Sequence, residues 1–360
     1  MKAKFEFITG PPRPAVIDEI REARYKTNQK AIKAGTFGKV YAQGPDAGLL
    51  RVKPAREWME QEYGQPAPRM LFGDFWVEGE LCILFADTNL GKSILAVQIG
   101  NNLAQGCCIE PFNNSLPALT PVLYIDFELS AKQFESRYVD KLIGSYTFGE
   151  TFYRAEFNPE ADDPVLYEKF EDYLKSAIEH ALLETRAKVL IIDNLTYMRS
   201  GTERAQDALP LMKHLKAMKT RYGLSVLALA HTPKRNPYHP LTVNDMQGSK
   251  MLINLADSAF AIGESHTVPG GRYLKQIKQR NACKMYGEEN VCLCRINKYF
   301  NFLQFEFDGY AHEQDHLQKP GTDRALLKEK ATELKEKGLS YRKISQQLNV
   351  GLATLHRMFN

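Results

Sequence analysis

The sequence contains no apolar run close to the roughly 20 residues that a membrane-spanning helix requires. It also lacks the charged start, apolar stretch and small-residue cleavage site of a secretory signal. Cysteine is sparse, with six residues and no CxxC pair, which excludes the disulfide scaffold of a small secreted domain. These absences predict a cytoplasmic protein with reduced thiols.

Three of the cysteines allow a zinc site as an alternative. Zinc binds thiol ligands, and one metal ion could be shared by the three cysteines Cys283, Cys292 and Cys294. Cys292 and Cys294, however, lie in the alternating run Val-Cys-Leu-Cys-Arg-Ile, which is typical of a strand and favours packing in a core. We therefore expect no metal other than magnesium.

Composition and charge fit a soluble α/β protein. The chain has 360 residues, of which 44% are hydrophobic and 25% charged, enough for one large domain with small appendages. Residues 1–70 carry 13 basic and 8 acidic side chains, residues 71–312 carry 25 and 29, and residues 313–360 carry 9 and 6. Basic ends suit nucleic-acid contacts, although charges that only confer solubility explain them equally well.

Glycines, prolines and shifts in composition divide the sequence into three predicted regions. Residues 1–70 form a basic N-terminal extension, with a polar helix at 16–35 followed by scattered glycines and prolines. Residues 71–312 form the core, and a break at Lys319-Pro320-Gly321 marks a linker within the C-terminal segment 313–360.

Within the core, short and nearly continuous apolar runs alternate with longer helical patterns. This arrangement predicts an α/β fold with a mainly parallel central sheet flanked by helices. Residues 272–296 and 301–310 then alternate with period two, which indicates antiparallel strands at the end. The predicted parallel strands are 81–86, 122–127, 189–193, 225–230 and 259–262, and the predicted helices are 92–105, 130–144, 164–186 and 205–222.

The first strand leads into a phosphate-binding pattern. Ala86 and the Gly91-Lys92-Ser93 triplet have the spacing of a P-loop, with alanine in place of the first glycine. Lys92 would contact the β- and γ-phosphates of ATP, and the Ser93 hydroxyl would bind Mg²⁺. The predicted nucleotide-binding residues are Ala86, Asp87, Thr88, Asn89, Leu90, Gly91, Lys92, Ser93 and Ile94.

Hydrolysis requires further acidic groups, and two later strands end in them. The run Val-Leu-Ile-Ile-Asp ends in Asp193, a candidate second magnesium ligand. The run Val-Leu-Tyr-Ile-Asp ends in Asp126, with Glu128 two residues later. Acids at the carboxyl ends of parallel strands lie at the ligand-binding edge of such a sheet.

The order of these motifs, A-x₄-GKS, then FELS, LIIDN and LALAHT, resembles the RecA-like ATPase core of hexameric replicative helicases of the plasmid RepA and bacterial DnaB types. The resemblance covers about residues 71–310. It implies that Glu128 is the catalytic base, with Asp126 a second candidate, and that His231 senses the γ-phosphate. A solvated acid at a helix start remains the alternative for Glu128.

The same resemblance implies that Lys278 and Arg280 project into a neighbouring subunit's nucleotide, so that the enzyme is a homo-oligomer, a hexamer in that family. Residues two apart share one face of a strand. An exposed basic strand is the alternative interpretation.

The resemblance also implies that DNA contacts the loops after two of the strands, at 195–205 and 232–250. Cations alternate there with the rings of Tyr197, Tyr238 and His239. Proteins that bind single strands use cations to contact phosphates and rings to stack on bases. The predicted DNA-binding cations of these loops are Arg199, Arg204, Lys234, Arg235 and Lys250.

The C-terminal segment resembles a helix-turn-helix. A short helix begins near Ser340, a turn falls at 349–351, and a second helix presents Thr354 and Arg357 for contact with duplex DNA. A protein-docking module is the alternative.

Together these patterns and the resemblance predict an ATP-hydrolysing DNA motor that uses ATP and Mg²⁺, a ring-forming replicative helicase of a plasmid, phage or other mobile element. The alternatives are an ATP-dependent DNA-binding regulator and a recombination mediator without unwinding activity. The sequence shows no signature of a primase or nuclease centre.

Overall fold

A computed structural model of the chain describes residues 51–112, 115, 119–158, 160–161, 170–198, 205–233, 235–246, 250–281, 283–319, 322–348 and 350–359. The helix predicted at 16–35 lies outside these residues. So do three of the predicted DNA-binding residues and the side chain of a fourth, namely Arg199, Arg204, Lys234 and Lys250. None of the described helices is long and apolar enough to span a membrane.

The regular elements are as follows. The helices are α1 (Ala55–Glu62), α2 (Lys92–Gln105), α3 (Ala131–Arg137), α4 (Phe170–Thr185), α5 (Ala205–Tyr222), α6 (Lys250–Leu255), α7 (Thr322–Glu336), α8 (Tyr341–Leu348) and α9 (Leu352–Phe359). The strands are β1 (Met70–Phe72), β2 (Trp76–Val77), β3 (Leu81–Ala86), β4 (Val122–Asp126), β5 (Val139–Asp140), β6 (Gly144–Ser145), β7 (Phe152–Glu156), β8 (Val189–Asp193), β9 (Ser225–His231), β10 (Ser258–Glu264), β11 (Gly271–Lys278), β12 (Val291–Tyr299) and β13 (Phe302–Ala311).

Two compact units share these elements. One contains the described residues of 1–69 and 157–186, and the other contains those of 70–156 and 187–360. The first unit holds α1 and α4, and α4 buries Leu174, Ile178 and Leu182 at the four-residue spacing of one helix face. The second unit holds every strand and all the residues of the site described below.

A nine-stranded sheet forms the centre of the second unit, in the order β13-β12-β11-β10-β3-β9-β8-β4-β7. The six strands from β10 to β7 are parallel, whereas β11, β12 and β13 add to β10 as antiparallel strands. The predicted mainly parallel sheet with terminal antiparallel strands is therefore confirmed. β9 lies between β3 and β8, so the phosphate loop and Asp193 follow strands that are not neighbours.

Helices cover both faces of this sheet. On one face, Leu95 and Ile99 of α2 join a core with Leu84 of β3 and Tyr124 of β4. On the other face α5 contacts β3 and β9, and it buries Met212 and Leu215. Because side chains alternate along a strand, the fully buried run of β3 serves both cores.

The helix predicted at 130–144 ends early. α3 begins with a capping box, in which the Ser130 hydroxyl accepts from the Gln133 amide, but it stops at Arg137. The chain then turns through the short β5–β6 pair, where Asp140 accepts hydrogen bonds from the Leu142 and Ile143 amides. Hydrogen bonds from backbone amides to the Asp140 carboxylate thus take the place of the backbone hydrogen bonds that would continue the helix.

Strand β7 was not predicted. Among the described strands it pairs with β4 alone, at the edge of the sheet, and every residue from Phe152 to Glu156 is at least partly exposed. An edge strand of this kind carries no continuous apolar run, so its sequence resembles a loop.

The C-terminal helices α7, α8 and α9 pack around Ala331, Ile344 and Leu355. α8 begins at Tyr341, one residue after the predicted start near Ser340, and α9 begins at Leu352. Their proposed use as a DNA reader remains a prediction.

Candidate active site

The phosphate loop connects β3 to α2. Ala86 stays in the strand, where it pairs with His231 of β9 and Ile262 of β10 and is fully buried. The left-handed backbone angles of the loop fall instead at Asn89, with φ 65°, and Gly91, with φ 98°. Alanine is tolerated at the first position of the pattern because an extended residue needs no glycine.

Gly91 is required by two features. Its positive φ favours glycine, and a Cβ atom there would lie 2.5 Å from Cδ1 of Ile296 and 3.0 Å from the Phe305 ring. Gly91 also precedes the first turn of the 14-residue helix α2, whose free N–H groups and positive dipole end suit an anion.

Lys92 lies folded against the loop. Its Nζ atom donates to the carbonyl oxygens of Ala86 and Asp87, both at 2.9 Å, and only 7% of the residue is exposed. Burial lowers the pKa of the Lys92 ammonium from its ordinary value, while Asp193 and Glu128 oppose that change. A phosphate group would supply the stronger partner that this desolvated cation lacks.

Asp193, at the end of β8, is 1% exposed and accepts a 2.8 Å hydrogen bond from the Tyr124 hydroxyl through Oδ2. Its buried Oδ1 has no hydrogen-bond partner among the described residues. Burial raises the pKa of Asp193 to about 6, and the Ser93 and Tyr124 hydroxyls oppose the rise. A free carboxylate oxygen near the Ser93 hydroxyl forms an oxygen donor pair of the kind Mg²⁺ prefers, so the two residues fit that ion.

Glu128 lies in a cluster with two residues from other strand ends. Its Oε1 accepts from Nδ2 of Asn194 and lies 3.1 Å from Nε2 of His231. The His231 hydrogen bond lowers the pKa of Glu128 below its ordinary value, and this outweighs the effect of burial. The carboxylate therefore stays ionised, as a base that accepts a proton from water must be.

Asn194 was missed in the sequence. It is 1% exposed, and its Nδ2 lies 3.0 Å from Nε2 of His231 while its Oδ1 accepts from the Thr196 amide. The only signal was its position directly after Asp193, where a polar side chain reaches the same edge of the sheet.

Asp126 supports the loop that carries Glu128. Its Oδ1 accepts from the amides of Glu128 and Leu129, at 3.1 and 2.9 Å, and its Oδ2 pairs with the Arg154 guanidinium at 3.0 Å. With both oxygens engaged, Asp126 positions Glu128, and Glu128 is the carboxylate that lines the cleft.

A cleft of about 360 Å³ opens between the loop and the Glu128 cluster. Of the predicted nucleotide-binding residues, Thr88, Asn89, Gly91, Lys92, Ser93 and Ile94 line it. Ala86 and Asp87 bind Lys92 instead, and the Leu90 carbonyl accepts from Arg272 at 3.1 Å. The remaining lining residues are Glu128, Arg137, His231 and Leu303, of which Arg137 and Leu303 were not predicted.

Lys278 and Arg280 lie elsewhere, at the end of α6. Lys278 Nζ donates to the carbonyls of Ile253, Asn254 and Ala256 at 2.7 to 2.9 Å, and Arg280 donates to the Asn254 carbonyl at 2.9 Å. Burial lowers the pKa of Lys278 to about 8, and Arg280 adds to the effect. Within this subunit the pair caps a helix end, and its predicted role in a neighbour's site stays a prediction.

Of the predicted DNA-binding residues that the structure describes, Arg235 is half-buried and donates to the His239 carbonyl at 2.9 Å. Thr354 and Arg357 are exposed on α9, whereas Leu355 and Met358 on the same helix are buried.

The cysteines lie apart from this site. Cys292 and Cys294 are buried in β12, and burial raises the pKa of both thiols, so they remain protonated. In the described part of the chain no three His, Cys, Asp or Glu side chains form a group that could hold a metal.

A P-loop at the start of a helix, a buried strand-end aspartate and an ionised glutamate on one sheet edge define a RecA-like P-loop ATPase, an enzyme that binds and hydrolyses ATP. The model of the AAA domain family matches residues 50–237, more than half of the chain, and the chain belongs to this family.

No curated protein sequence matches the chain. Among solved structures, the KaiC-like protein of the hyperthermophilic archaeon Pyrococcus horikoshii OT3 is 13% identical, with a TM-score of 0.46. The match covers 67% of this chain and 100% of that one.

Proposed function

We propose that this ATPase is a DNA-acting motor, a ring-forming replicative helicase of a plasmid, phage or other mobile element. The observation that carries the proposal is the contact of Glu128 with both Asn194 and His231. Asn194 begins the segment after β8, and His231 ends β9. The base of the reaction is therefore bonded to the residues that directly precede the two loops that we expect to bind DNA.

This arrangement provides a physical route between DNA and hydrolysis. Nε2 of His231 contacts both Glu128 and Asn194, and a ring nitrogen that donates to one cannot accept from the other at the same time. A shift of either loop changes which bond forms, and with it the freedom of Glu128 to accept a proton from attacking water. DNA in the loops would then set the rate of hydrolysis.

The other residues of the cleft would bind the phosphates and the magnesium ion. The α2 N-terminus and Lys92 bind and orient the phosphates, and the Ser93 and Asp193 oxygens would hold Mg²⁺. Bound magnesium neutralises phosphate charge. Glu128 accepts the proton of the water that attacks the γ-phosphorus, and ADP leaves with the bridging oxygen.

The test is ATP hydrolysis with and without single-stranded DNA, for the wild type, Lys92→Ala and Glu128→Ala. We expect single strands to stimulate the wild type and each substitution to lower kcat at least about 100-fold. Unwinding of a forked duplex, dependent on ATP, is the decisive second assay. The helicase proposal is contradicted if single-stranded DNA does not change the rate of ATP hydrolysis, or if it raises that rate but the strands of the duplex are not separated.

The second candidate is an ATP-dependent DNA-binding regulator, and one observation favours it. α8 and α9 share a small core of their own with α7, which leaves Thr354 and Arg357 exposed on one helix. Sequence-selective duplex binding that is lost in Arg357→Ala, together with turnover indifferent to single strands, would support this candidate. A recombination mediator would coat single strands and separate none.

A further inference from the structure

We propose that Arg137 is a γ-phosphate sensor within the subunit, which lets the site distinguish ATP from ADP. The inference rests on ATP binding at the cleft and does not require that the chain act on DNA. Arg137 is the last residue of α3 and lines the cleft together with Lys92, Ser93 and Glu128. The reasons are its missing partner, its charge and its fixed backbone.

The guanidinium lacks a partner. Nη1 of Arg137 is closed off from solvent and has no hydrogen-bond partner among the described residues. A buried donor without an acceptor is costly, and such groups are rare in native proteins. Since Arg137 also lines the cleft, rotation of its guanidinium would let these N–H groups bind a phosphate oxygen there, and they match phosphate geometry in pairs.

The charge also lacks a partner. In the described part of the chain no acid lies within ion-pair distance of Arg137, whereas Arg154 pairs with Asp126 and Lys132 with Glu135. Glu128, the nearest acid that lines the cleft, already bonds to Asn194 and His231. Arg137 and Lys92 thus face one cleft, and an anion carrying several charges is the ligand that balances them.

The backbone on both sides of Arg137 is held in place. Lys298, from β12, donates to the carbonyls of Ser136 at 3.0 Å and Val139 at 2.8 Å. The neighbouring Tyr138 packs its ring against Phe134 and Phe302, with centroids 4.9 and 5.2 Å apart. These contacts hold the backbone that carries Arg137 beside the cleft, as a preorganised ligand contact requires.

The position of Arg137 in the chain indicates that it would bind the γ-phosphate. α3 follows directly on the loop of Glu128, the base that acts at the γ-phosphorus, and Asp126 fixes the start of that loop. In a P-loop the backbone N–H groups at the helix N-terminus, here that of α2, would hold the α- and β-phosphates, and Lys92 would reach the β- and γ-phosphates. Arg137 therefore reaches the part of the nucleotide that ADP lacks.

The experiment compares binding of the β,γ-imido analogue of ATP and of ADP, by titration calorimetry, for the wild type, Arg137→Ala and Arg137→Met. We expect the affinity for the ATP analogue to fall about 10- to 100-fold and that for ADP to change less than about twofold. Methionine replaces the apolar stem of the side chain without its charged end, so it covers the case in which alanine disturbs folding. Lys132→Ala, an exposed cation of the same helix, is the matched control and should change neither affinity.

A parallel melting curve without nucleotide separates the sensor from a structural role. Because the wild-type Nη1 has no partner to lose, neither variant should melt below the wild type. Equal losses of affinity for both nucleotides, or unchanged affinity for the ATP analogue, would overturn the proposal. Since no DNA is present, a failed helicase assay leaves this result intact.

Discussion

His231 and Glu128 lie 103 residues apart in the sequence, yet Nε2 of one is 3.1 Å from Oε1 of the other. His231 ends β9 and Glu128 follows β4, and these two strands are separated in the sheet by β8, whose following residue Asn194 contacts both side chains. The acid that we assign as the base is thus controlled by two polar residues at the ends of neighbouring strands.

The first prediction concerns this pair. His231→Ala removes the hydrogen bond that lowers the pKa of Glu128, so that pKa should rise. Because the base acts in its ionised form, the acidic limb of the pH–kcat profile should move to higher pH, with kcat at neutral pH reduced about tenfold or more. Profiles between pH 5 and 8 measure the shift. His239→Ala, in the adjacent loop, is the control, and an unmoved acidic limb in His231→Ala contradicts the assignment.

The second prediction concerns Asp126 as a positioning residue. Asp126→Ala leaves the Glu128 and Leu129 amides and the Arg154 guanidinium without their partner. We expect a loss of about 2–4 kcal/mol in the free energy of unfolding, because a mostly buried pair is broken. kcat should fall while KM for ATP changes little, since the phosphate loop is untouched. Denaturant unfolding and steady-state kinetics test this, and Asp126→Asn, which keeps one acceptor oxygen, should recover part of both losses.

The third prediction follows from the pKa of Asp193, which burial raises to about 6 from an ordinary value near 3.8. Between these values the folded state binds more protons than the unfolded state, so this group lowers stability as pH rises through 6. Asp193→Asn should therefore stabilise the nucleotide-free protein at pH 7.5, by up to about 3 kcal/mol, and much less at pH 4. Thermal unfolding at the two pH values measures the difference, with the exposed Asp87→Asn as control. ATP hydrolysis should be lost, and equal stabilisation at both pH values would argue against the burial penalty.

The fourth prediction separates the two features that make Gly91 necessary. Gly91→Ala places a Cβ atom 2.5 Å from Ile296 Cδ1 in a residue with φ 98°. Gly79→Ala has a positive φ of 75° as well, but nothing lies within 4 Å of its Cβ position. We expect the Gly79 variant to lose about 1–2 kcal/mol from backbone strain alone, and the Gly91 variant to lose more. Only the Gly91 variant should lose nucleotide affinity, and equal behaviour of the two would show that the close contact is unimportant.

The fifth prediction tests the two roles of Lys278. Its three bonds to carbonyls at the end of α6 predict that Lys278→Ala lowers the melting temperature, whatever its catalytic role. If Lys278 also acts in a neighbouring subunit, Lys278→Ala mixed with Glu128→Ala should recover ATP hydrolysis, because some mixed sites combine an intact base with an intact lysine. Mixing either variant with itself is the control. A mixture as inactive as its components confines Lys278 to its own subunit.

Much of the fold was readable from the sequence because the parallel strands are buried on both faces. Such strands must be apolar throughout, and β3, β4, β8, β9 and β10 each carry the required run. β7 and the early end of α3 were not readable. The first is an edge strand with half-exposed side chains, and the second depends on Asp140 and on Lys298, from a strand far along the chain.

The sequence by itself determined the phosphate loop, Asp193 and Glu128, because each lies at a fixed short distance from a strand or helix that its own neighbours form. The tertiary structure alone decided the partners of these residues. Asn194 and His231 contact Glu128 because separate strands end at one edge of the sheet, and Arg137 lines the same cleft from the end of α3. The caps made by Lys278 and Arg280 likewise depend on contacts with α6. Contacts of this kind depend on how strands are ordered in space, and local composition carries no record of that order.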